Sequence, residues 1–355
     1  MKLLDSDKSE TDNVISDTHD MRRLGRTGPL VSPMGLGCWA IGGPFFAGPG
    51  CRYPTGQPLG WGAVDDAESI RAIHAALDCG ITLFDTADAY GTGHSERVLG
   101  RALKGRRDGL VIATKFGNTL DVASRQLTGT DVSPGYIRRA CEASLRRLDT
   151  DRIDLYQLHV GDLPIADADR VAETLERLCD DGLIRGYGWS TDDPARAAAF
   201  ARHPRAVAVQ HDLNVFEDAP AMLVVCRAHD LASINRGPLA MGFLSGKFTA
   251  ESRLAADDIR SRPPDWLRYF AAGGGAAPDW TATLAALRDV LTSGGRTPVQ
   301  GALAWIWARD ARTIPIPGAR TADQVRENAA AMDAGPLSPN QMSEIDAILR
   351  RSTAA

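Results

Sequence analysis

The chain has 355 residues, of which 44% are hydrophobic and 24% charged, the composition of an ordinary globular protein. Its net charge is −5, and both signs are mixed along the chain, so charge gives no reason to expect nucleic acid or an anionic membrane surface as a partner. No run of about 18 apolar residues occurs, which argues against a membrane-spanning helix.

The N-terminal segment, residues 1–20, is polar and rich in Asp, Ser and Thr, with no basic start and no apolar stretch. It therefore does not resemble a secretory signal, and its composition predicts a flexible tail. We expect residues 21–355 to form a single domain. The cysteines are scattered without a C-x-x-C pair, which indicates reduced thiols in a cytoplasmic protein and no structural metal site. They are Cys38, Cys51, Cys79, Cys141, Cys179 and Cys226.

Short apolar runs alternate with amphipathic stretches along most of the chain. A first strand is predicted near residues 31–36, and a first helix over residues 66–79, after which Gly80 is a typical stop signal. Strands over residues 81–85 and 110–115 follow, the first ending in an acid and the second in a base.

The alternation continues to the end of the chain. Ser133 and Pro134 are typical of a helix start, because Ser is a good N-cap and Pro suits the first turn. A strand over residues 153–159 precedes a helix that carries Val171, Leu175 and Leu178 on one face. Four more strands are predicted, over residues 184–190, 206–210, 231–235 and 313–317.

Eight strands that alternate with helices predict parallel pairing with right-handed crossovers. In a chain of this size they favour a closed (β/α)8 TIM barrel, an α/β fold with long βα loops at its C-terminal face. An open doubly wound sheet is the alternative. It is less favoured, because no G-x-G-x-x-G follows a first strand.

Two long segments interrupt the alternation, residues 42–62 and residues 249–279, and in a barrel both lie at the face where active sites form. They could be lids that shape a substrate site or plain surface insertions. Aromatic residues in and near them are candidate substrate walls: Trp39, Phe45, Phe46, Trp61 and Trp266.

Reactive side chains follow three successive predicted strands. Asp85, Lys115 and His159 each end one, and Tyr90 lies five residues after Asp85. Each alone has an ordinary explanation, such as a helix N-cap, an exposed charge or a core histidine. The carboxyl ends of barrel strands surround one mouth, so the sequence predicts that the four converge there.

A carboxylate, an ammonium, a phenol and an imidazole together form a proton-transfer set. Hydride delivery to a carbonyl creates an alkoxide that needs a proton, and Tyr90 is the predicted donor. We expect Lys115 to lower the pKa of that phenol and Asp85 to hold Lys115 charged. A neutral His159 would hydrogen-bond to the carbonyl oxygen.

Five segments of the chain resemble the aldo-keto reductases. They are FDTADAYGTGHSERVLG (84–100), ATKFG (113–117), SLRRLDTDRIDLYQLH (144–159), GPLAMGFLSGKF (237–248) and IPGARTADQVREN (316–328). The resemblance runs from about residue 24 to about residue 328. It implies a (β/α)8 barrel that binds NADPH without a Rossmann domain, with the family's catalytic tetrad at Asp85, Tyr90, Lys115 and His159.

The resemblance also implies contacts with the nicotinamide cofactor. Ser190 and Gln210 match positions that bind the carboxamide, and Thr191 stands where the family usually has Asn. Arg236 stands at a position beside the nicotinamide or pyrophosphate and is read as a cofactor or substrate contact. Gly37 and Trp39 match contacts that the family makes from its first strand, and Asp85 would contact the cofactor as well as belong to the tetrad. The loop over the pyrophosphate would comprise Leu239, Gly242 and Lys247.

The adenosine end depends on the segment around Gly318. Thr321 and Gln324 read as a capping box, and a helix N-terminus also suits an anion. Arg320 could hold the 2′-phosphate of NADPH, which favours NADPH over NADH. Gln324 and Asn328 would reach the adenine.

The predicted activity is therefore NADPH-dependent reduction of an aldehyde, ketone or sugar, with Trp39, Phe45, Trp61, Tyr90 and His159 around the substrate. Two alternatives stay open. The same residues could oxidise a sugar or alcohol with NAD(P), or the barrel could be a non-catalytic regulatory subunit that keeps its cofactor bound.

Overall fold

In the computed structural model, which describes residues 20–351, eight parallel strands form a closed barrel. Neighbouring strands pair in chain order. The first closes on the last through Gly35 N to Pro315 O (3.0 Å) and Gly37 N to Pro317 O (3.1 Å). The predicted (β/α)8 barrel is thus confirmed. Its strands are β1 Leu36–Gly37, β2 Leu83–Asp85, β3 Val111–Phe116, β4 Ile153–Leu158, β5 Ile184–Ser190, β6 Ala206–Asp212, β7 Ala232–Arg236 and β8 Thr313–Pro315.

Helices follow the strands and begin where the sequence supplies a cap. The Asp65 carboxylate accepts from Ala67 N (2.8 Å) at the start of the first helix, and Ser133 caps the third, directly before Pro134. None of the helices within residues 20–351 is both long and apolar enough to cross a membrane. The helices are α1 Asp66–Asp78, α2 His94–Ala102, α3 Pro134–Leu148, α4 Ile165–Asp180, α5 Pro194–Phe200, α6 Pro220–His229, α7 Pro278–Thr292, α8 Pro298–Arg309, α9 Ala322–Ala329, α10 Ala331–Ala334 and α11 Pro339–Ile348.

The predicted first strand, residues 31–36, was misplaced. Leu30–Val31 pairs antiparallel with Arg22–Arg23 in a separate hairpin, and the barrel strand begins only at Leu36. Pro33 lies between them and has no backbone N–H, so a continuous ladder cannot run through it. The predicted tail, residues 1–20, lies outside the described residues apart from Asp20.

The N-terminal hairpin contributes to the inner core of the barrel. Its buried Leu24 and Val31 pack with inward-facing side chains of several strands, including Leu83, Leu155 and Ile314. A second and larger core lies between the strands and the surrounding helices. The βα loops, and not the hairpin, cover the carboxyl end of the barrel.

Two of those loops contain structure of their own. We refer to residues 42–62 as loop A and to residues 249–277 as loop B. Phe46–Ala47 of loop A pairs in parallel with Gln126–Thr130, which in turn pairs antiparallel with Asn118–Asp121. The sequence had not predicted this three-stranded sheet beside the barrel mouth.

Loops A and B also contact each other. Trp61 and Asp258 form an antiparallel bridge, Ile259 N donates to Gly60 O (2.8 Å), and Gln57 Nε2 donates to the carbonyl oxygen of Arg262 (2.5 Å). The two loops therefore form one roof over the C-terminal face of the barrel.

Candidate active site

The four residues predicted to be catalytic meet at the carboxyl ends of β2, β3 and β4. Asp85 is the last residue of β2, His159 directly follows β4, and Tyr90 lies in the loop between β2 and α2. These three line one cleft of about 2440 Å³, while Lys115, near the end of β3, is fully buried beside them. The predicted convergence is thus a feature of the fold.

Lys115 is the centre of this group. Its ammonium donates to Asp85 Oδ2 (2.5 Å), to the carbonyl oxygen of Thr86 (2.9 Å) and to the phenol oxygen of Tyr90 (3.2 Å). Each of the three ammonium protons therefore has an acceptor, and one of these acceptors is the phenol oxygen of Tyr90.

Two glutamines hold the second oxygen of Asp85. Gln157 Nε2 (3.0 Å) and Gln210 Nε2 (2.8 Å) both donate to Oδ1, and both side chains are buried. The prediction did not include Gln157. Strand alternation could have identified it, because Gln157 and His159 are two residues apart and project from the same face.

The electrostatics keep Lys115 charged. Burial by itself lowers its pKa, but the Asp85 carboxylate and the Tyr90 phenol outweigh burial, and the pKa is raised. The expected lowering of the Tyr90 pKa was wrong in its net direction. Burial raises the pKa of the phenol, and Lys115 opposes that effect without reversing it. Tyr90 is therefore a protonated phenol at neutral pH, and its oxygen accepts a hydrogen bond from the Lys115 ammonium.

His159 is neutral in this environment. Burial, followed by the positive charges of Lys115, Arg236 and Arg52, holds its pKa well below the usual range for histidine. Its Nδ1 is buried and has no hydrogen-bond partner within residues 20–351. The ring lies edge-on to the Tyr90 ring, with centroids 5.9 Å apart. A neutral imidazole that lines the cleft beside a proton donor can offer a ring nitrogen to a polar ligand.

Aromatic residues form one wall of the same cleft. Trp39 stacks on Tyr90 with centroids 5.8 Å apart, and Trp61 meets Trp39 edge-on at 5.6 Å. Phe45 is also in the lining, whereas its neighbour Phe46, in the three-stranded sheet, is not. Trp266, 44% exposed, lies at the margin of the cleft in loop B.

The residues implied to contact the nicotinamide line the cleft as well, but some have internal partners. Gln210 uses its amide on Asp85, and Thr191 Oγ1 donates to the carbonyl oxygen of Gly161 (2.8 Å), while Ser190 is buried at the end of β5. Gly37 is needed for barrel closure, because a Cβ there would lie 2.5 Å from the carbonyl oxygen of Ile316.

Arg236 closes the side of the cleft formed by β5, β6 and β7. Its guanidinium forms a two-pronged pair with Asp192, with NH1 to Oδ1 at 3.1 Å, and approaches Asp212 at 3.8 Å. Leu239 and Gly242 lie in the 3₁₀ turn that follows β7.

A cationic cluster lies further along the cleft. Burial, then the charges of Arg260 and Arg320, lower the pKa of Lys247. Arg260 is itself buried, pairs with Asp258 at 2.7 Å and lies over Trp61 at 4.3 Å. The sequence prediction omitted Arg260, because nothing local indicates that a loop arginine is buried. Lys247 and Arg320, which have no carboxylate within 4.0 Å among the described residues, lie in the same cleft as Arg260, and this accumulation of positive charge favours a polyanionic ligand.

The residues predicted to hold the adenosine end line the same cleft, and their hydrogen bonds differ from the prediction in two respects. Thr321 caps α9, but the side chain of Gln324 accepts from Arg320 N (2.8 Å), so the capping box is only half formed. The Arg320 guanidinium donates to the carbonyl oxygens of Trp61 and Ala63 in this structure. Gln324 and Asn328 line the cleft, as does Gly318.

The chain is similar to known proteins over nearly its whole length. The profile described as the Aldo/keto reductase family matches residues 34–350. The aldo-keto reductase YhdN of Bacillus subtilis is 34% identical over 92% of both chains. The solved structure of the glycerol dehydrogenase AKR11B4 from Gluconobacter oxydans is 30% identical, with a TM-score of 0.75 over 95% of this chain and 97% of that one. An aldo-keto reductase from Klebsiella pneumoniae, solved in complex with NADP and acetate, is 25% identical, with a TM-score of 0.65 over 94% of this chain and 96% of that one.

Proposed function

Because this chain belongs to the aldo/keto reductase family, whose members are oxidoreductases acting on carbonyl groups, we propose that it reduces an aldehyde or ketone with NADPH and that Tyr90 is the general acid. The observation that carries this proposal is the buried contact between the Lys115 ammonium, paired with Asp85, and the phenol oxygen of Tyr90. It combines a proton donor with a fixed positive charge at one point of the cleft.

Each residue then has a definite task. The cofactor, when bound, supplies the hydride that reduces the carbonyl carbon. Tyr90 gives its phenolic proton to the carbonyl oxygen, and Lys115 stabilises the phenolate that remains. His159, held neutral, donates a hydrogen bond to the same oxygen and orients it. Trp39 and Trp61 exclude water from one side of the reacting group.

The same electrostatics support reduction as the favoured direction near neutral pH. In oxidation the phenol must lose its proton before it can act as a base, and its raised pKa makes this unfavourable near pH 7. The glycerol dehydrogenase among the similar structures makes alcohol oxidation the second candidate. We expect reduction to be faster at about pH 7 and oxidation to gain only as the pH rises above about 9, since the reference pKa of a phenol is about 10. Initial rates in both directions would test this.

The Tyr90→Phe variant tests the assignment of the acid. It should lower kcat by about 10²–10⁴-fold while NADPH still binds, because the proton donor is lost and the ring is kept. Tyr156→Phe is the matched control, since the Tyr156 hydroxyl is buried, outside the cleft and without a hydrogen-bond partner in the described chain. Near-normal turnover by Tyr90→Phe would disprove the role of Tyr90.

The preference for NADPH is supported by the cationic cluster and by Arg320. A guanidinium binds a phosphate as a two-pronged donor, and Arg320 can exchange the carbonyls of Trp61 and Ala63 for the 2′-phosphate. Arg320→Ala should raise the Kd of NADPH at least about ten-fold more than that of NADH. Fluorescence titration with both cofactors measures this directly, and an equal change for the two would remove Arg320 from the 2′-phosphate site.

A further inference from the structure

Three of the cations that line the cleft have no acidic partner within 4.0 Å among the described residues, namely Arg52, Lys247 and Arg320. Of these, Arg52 is the one that lies outside the cationic cluster described above. Arg52, in loop A, lines the same cleft as Tyr90 and His159 and is exposed to solvent. Within residues 20–351 no carboxylate lies within 4.0 Å of its guanidinium. In that part of the chain its only side-chain hydrogen bond goes to the phenol oxygen of Tyr53, at 2.8 Å.

The other arginines on this side of the cleft differ in that respect. Arg236 is paired with Asp192, and Arg268 is paired with Glu217. Their charges are compensated within the protein. The charge of Arg52 is not compensated by any described residue, so it is available to a ligand.

Arg52 is nevertheless held in place. Its guanidinium lies over the Tyr53 ring, 4.9 Å from the centroid, and the Tyr53 oxygen also accepts from Trp266 Nε1 at 3.1 Å. The turn before it is fixed by Gly50, whose φ of +85° would strain any other residue and whose position against the carbonyl oxygen of Thr128 leaves no room for a Cβ. Loops A and B thus present the guanidinium from an ordered support.

The charge of Arg52 also acts on the reaction centre. After burial, the influences that lower the pKa of His159 are three cations, Lys115, Arg236 and Arg52, and no carboxylate is among them. Lys115 is neutralised by Asp85 and Arg236 by Asp192. Of these three cations, Arg52 is therefore the one whose charge stays uncompensated within the described chain.

We propose that Arg52 binds an oxyanion of the substrate, so that the preferred substrates are aldehydes or ketones that carry a carboxylate or phosphate group away from the carbonyl. This inference rests on the proposed carbonyl reduction. A guanidinium fork matches either oxyanion through two parallel hydrogen bonds, whereas the neutral aromatic wall formed by Trp39 and Trp61 suits the rest of the molecule.

The test uses substrate pairs that differ only in charge. One pair is 4-carboxybenzaldehyde and its neutral methyl ester, and the other is glyceraldehyde 3-phosphate and glyceraldehyde. The protein as it stands is compared with Arg52→Gln and with Arg106→Gln. The latter removes a charge that is also exposed, from the loop before β3, at the other end of the barrel and outside the cleft.

We expect kcat/KM for the charged member of at least one pair to exceed that of its neutral partner by about ten-fold at low ionic strength, and this ratio to shrink as salt is added. In Arg52→Gln the ratio should fall to about one, and in Arg106→Gln it should persist. The pair that shows the preference identifies the anion as carboxylate or phosphate.

Two results would overturn the inference, and they differ. Turnover of every aldehyde with no preference for charge, or a preference that survives Arg52→Gln, refutes the role of Arg52 and leaves carbonyl reduction standing. Absence of NADPH oxidation with all four compounds refutes the proposed function and this inference with it.

Discussion

The pair formed by Lys115 and Asp85 allows stability and catalysis to be separated in one experiment. Both side chains are buried, at 0% and 3% exposure, and their charged atoms are 2.5 Å apart. Removing either partner leaves an uncompensated charge in the protein interior. Lys115→Met and Asp85→Asn should therefore each lower the free energy of unfolding by about 3–5 kcal/mol.

The double variant should behave differently. With both charges gone, the oxygen of the introduced amide can still accept from Gln157 and Gln210, and the introduced methionine fills the space of the lysine stem. We expect its free energy of unfolding to lie within about 2 kcal/mol of that of the unmodified protein, because replacing a whole buried pair is often close to neutral. Its kcat should stay lowered by at least about 10²-fold, since the phenolate of Tyr90 has lost its cation.

Urea denaturation followed by tryptophan fluorescence provides the stability values, and NADPH oxidation provides the rates. Additive losses in the double variant would mean that the two charges do not compensate each other. Restored catalysis in that variant would mean that the ammonium is not needed by Tyr90. Either result would refute this account of the site.

Two further predictions concern the cofactor and pH. The Glu68 carboxylate accepts from Ala322 N at 3.3 Å, at the N-terminus of α9, where it would compete with the proposed 2′-phosphate for the same helix end. Glu68→Gln should thus lower the KM for NADPH about two- to five-fold without a similar change for NADH, and equal changes would show that Glu68 is remote from the phosphate. Burial lowers the pKa of His211 to about 4 from the 6.5 of an unperturbed histidine. As the pH falls, the imidazole is therefore protonated in the unfolded chain at a higher pH than in the folded protein. As the pH falls from about 6.5 to about 4, His211 should cost the protein up to about 3 kcal/mol of stability. Chemical denaturation at about pH 7 and about pH 4.5 should show a smaller loss for His211→Gln, and an identical loss would contradict this assignment.

The positions of the reactive residues could be predicted from the sequence because barrel topology brings strand ends together. Asp85, Lys115 and His159 needed only to be recognised as ends of successive strands, and the structure brings them to one cleft mouth. Their hydrogen bonds were less predictable. Strand alternation could have placed Gln157 in the site, but its partner could not be predicted, because that depends on which oxygen of Asp85 is left after Lys115 binds the other.

The net direction of the Tyr90 pKa shift could not be predicted from the sequence either. The pattern identified the cation that lowers the pKa of the phenol, but the opposing effect is burial, which depends on how the loop packs against Trp39. Arg260 and Arg52 show the same limit. One loop arginine is buried in the cleft and the other exposed at it, and only tertiary contacts distinguish them.

The roof and the three-stranded sheet depend on contacts between distant segments. Phe46–Ala47 pairs with Gln126–Thr130, far along the chain, so no local pattern could define either strand. The first barrel strand is only two residues long, and Val31, which precedes Pro33, carried a stronger apolar signal than Gly37. Short elements of this kind are fixed by their neighbours and not by their own composition.

The hairpin formed by Arg22–Arg23 and Leu30–Val31 has a consequence for biosynthesis. It is among the first described segments to leave the ribosome, yet Arg26 contacts the carbonyl oxygen of Ala201, 175 positions later, and Arg22 contacts that of Ala311, 289 positions later. At ordinary translation rates the second contact becomes available roughly 15–60 s after the hairpin itself. During that interval the barrel strands that bury Leu24 and Val31 have not all been synthesised. The two apolar side chains therefore stay exposed to solvent, where a chaperone that acts on nascent chains would bind them.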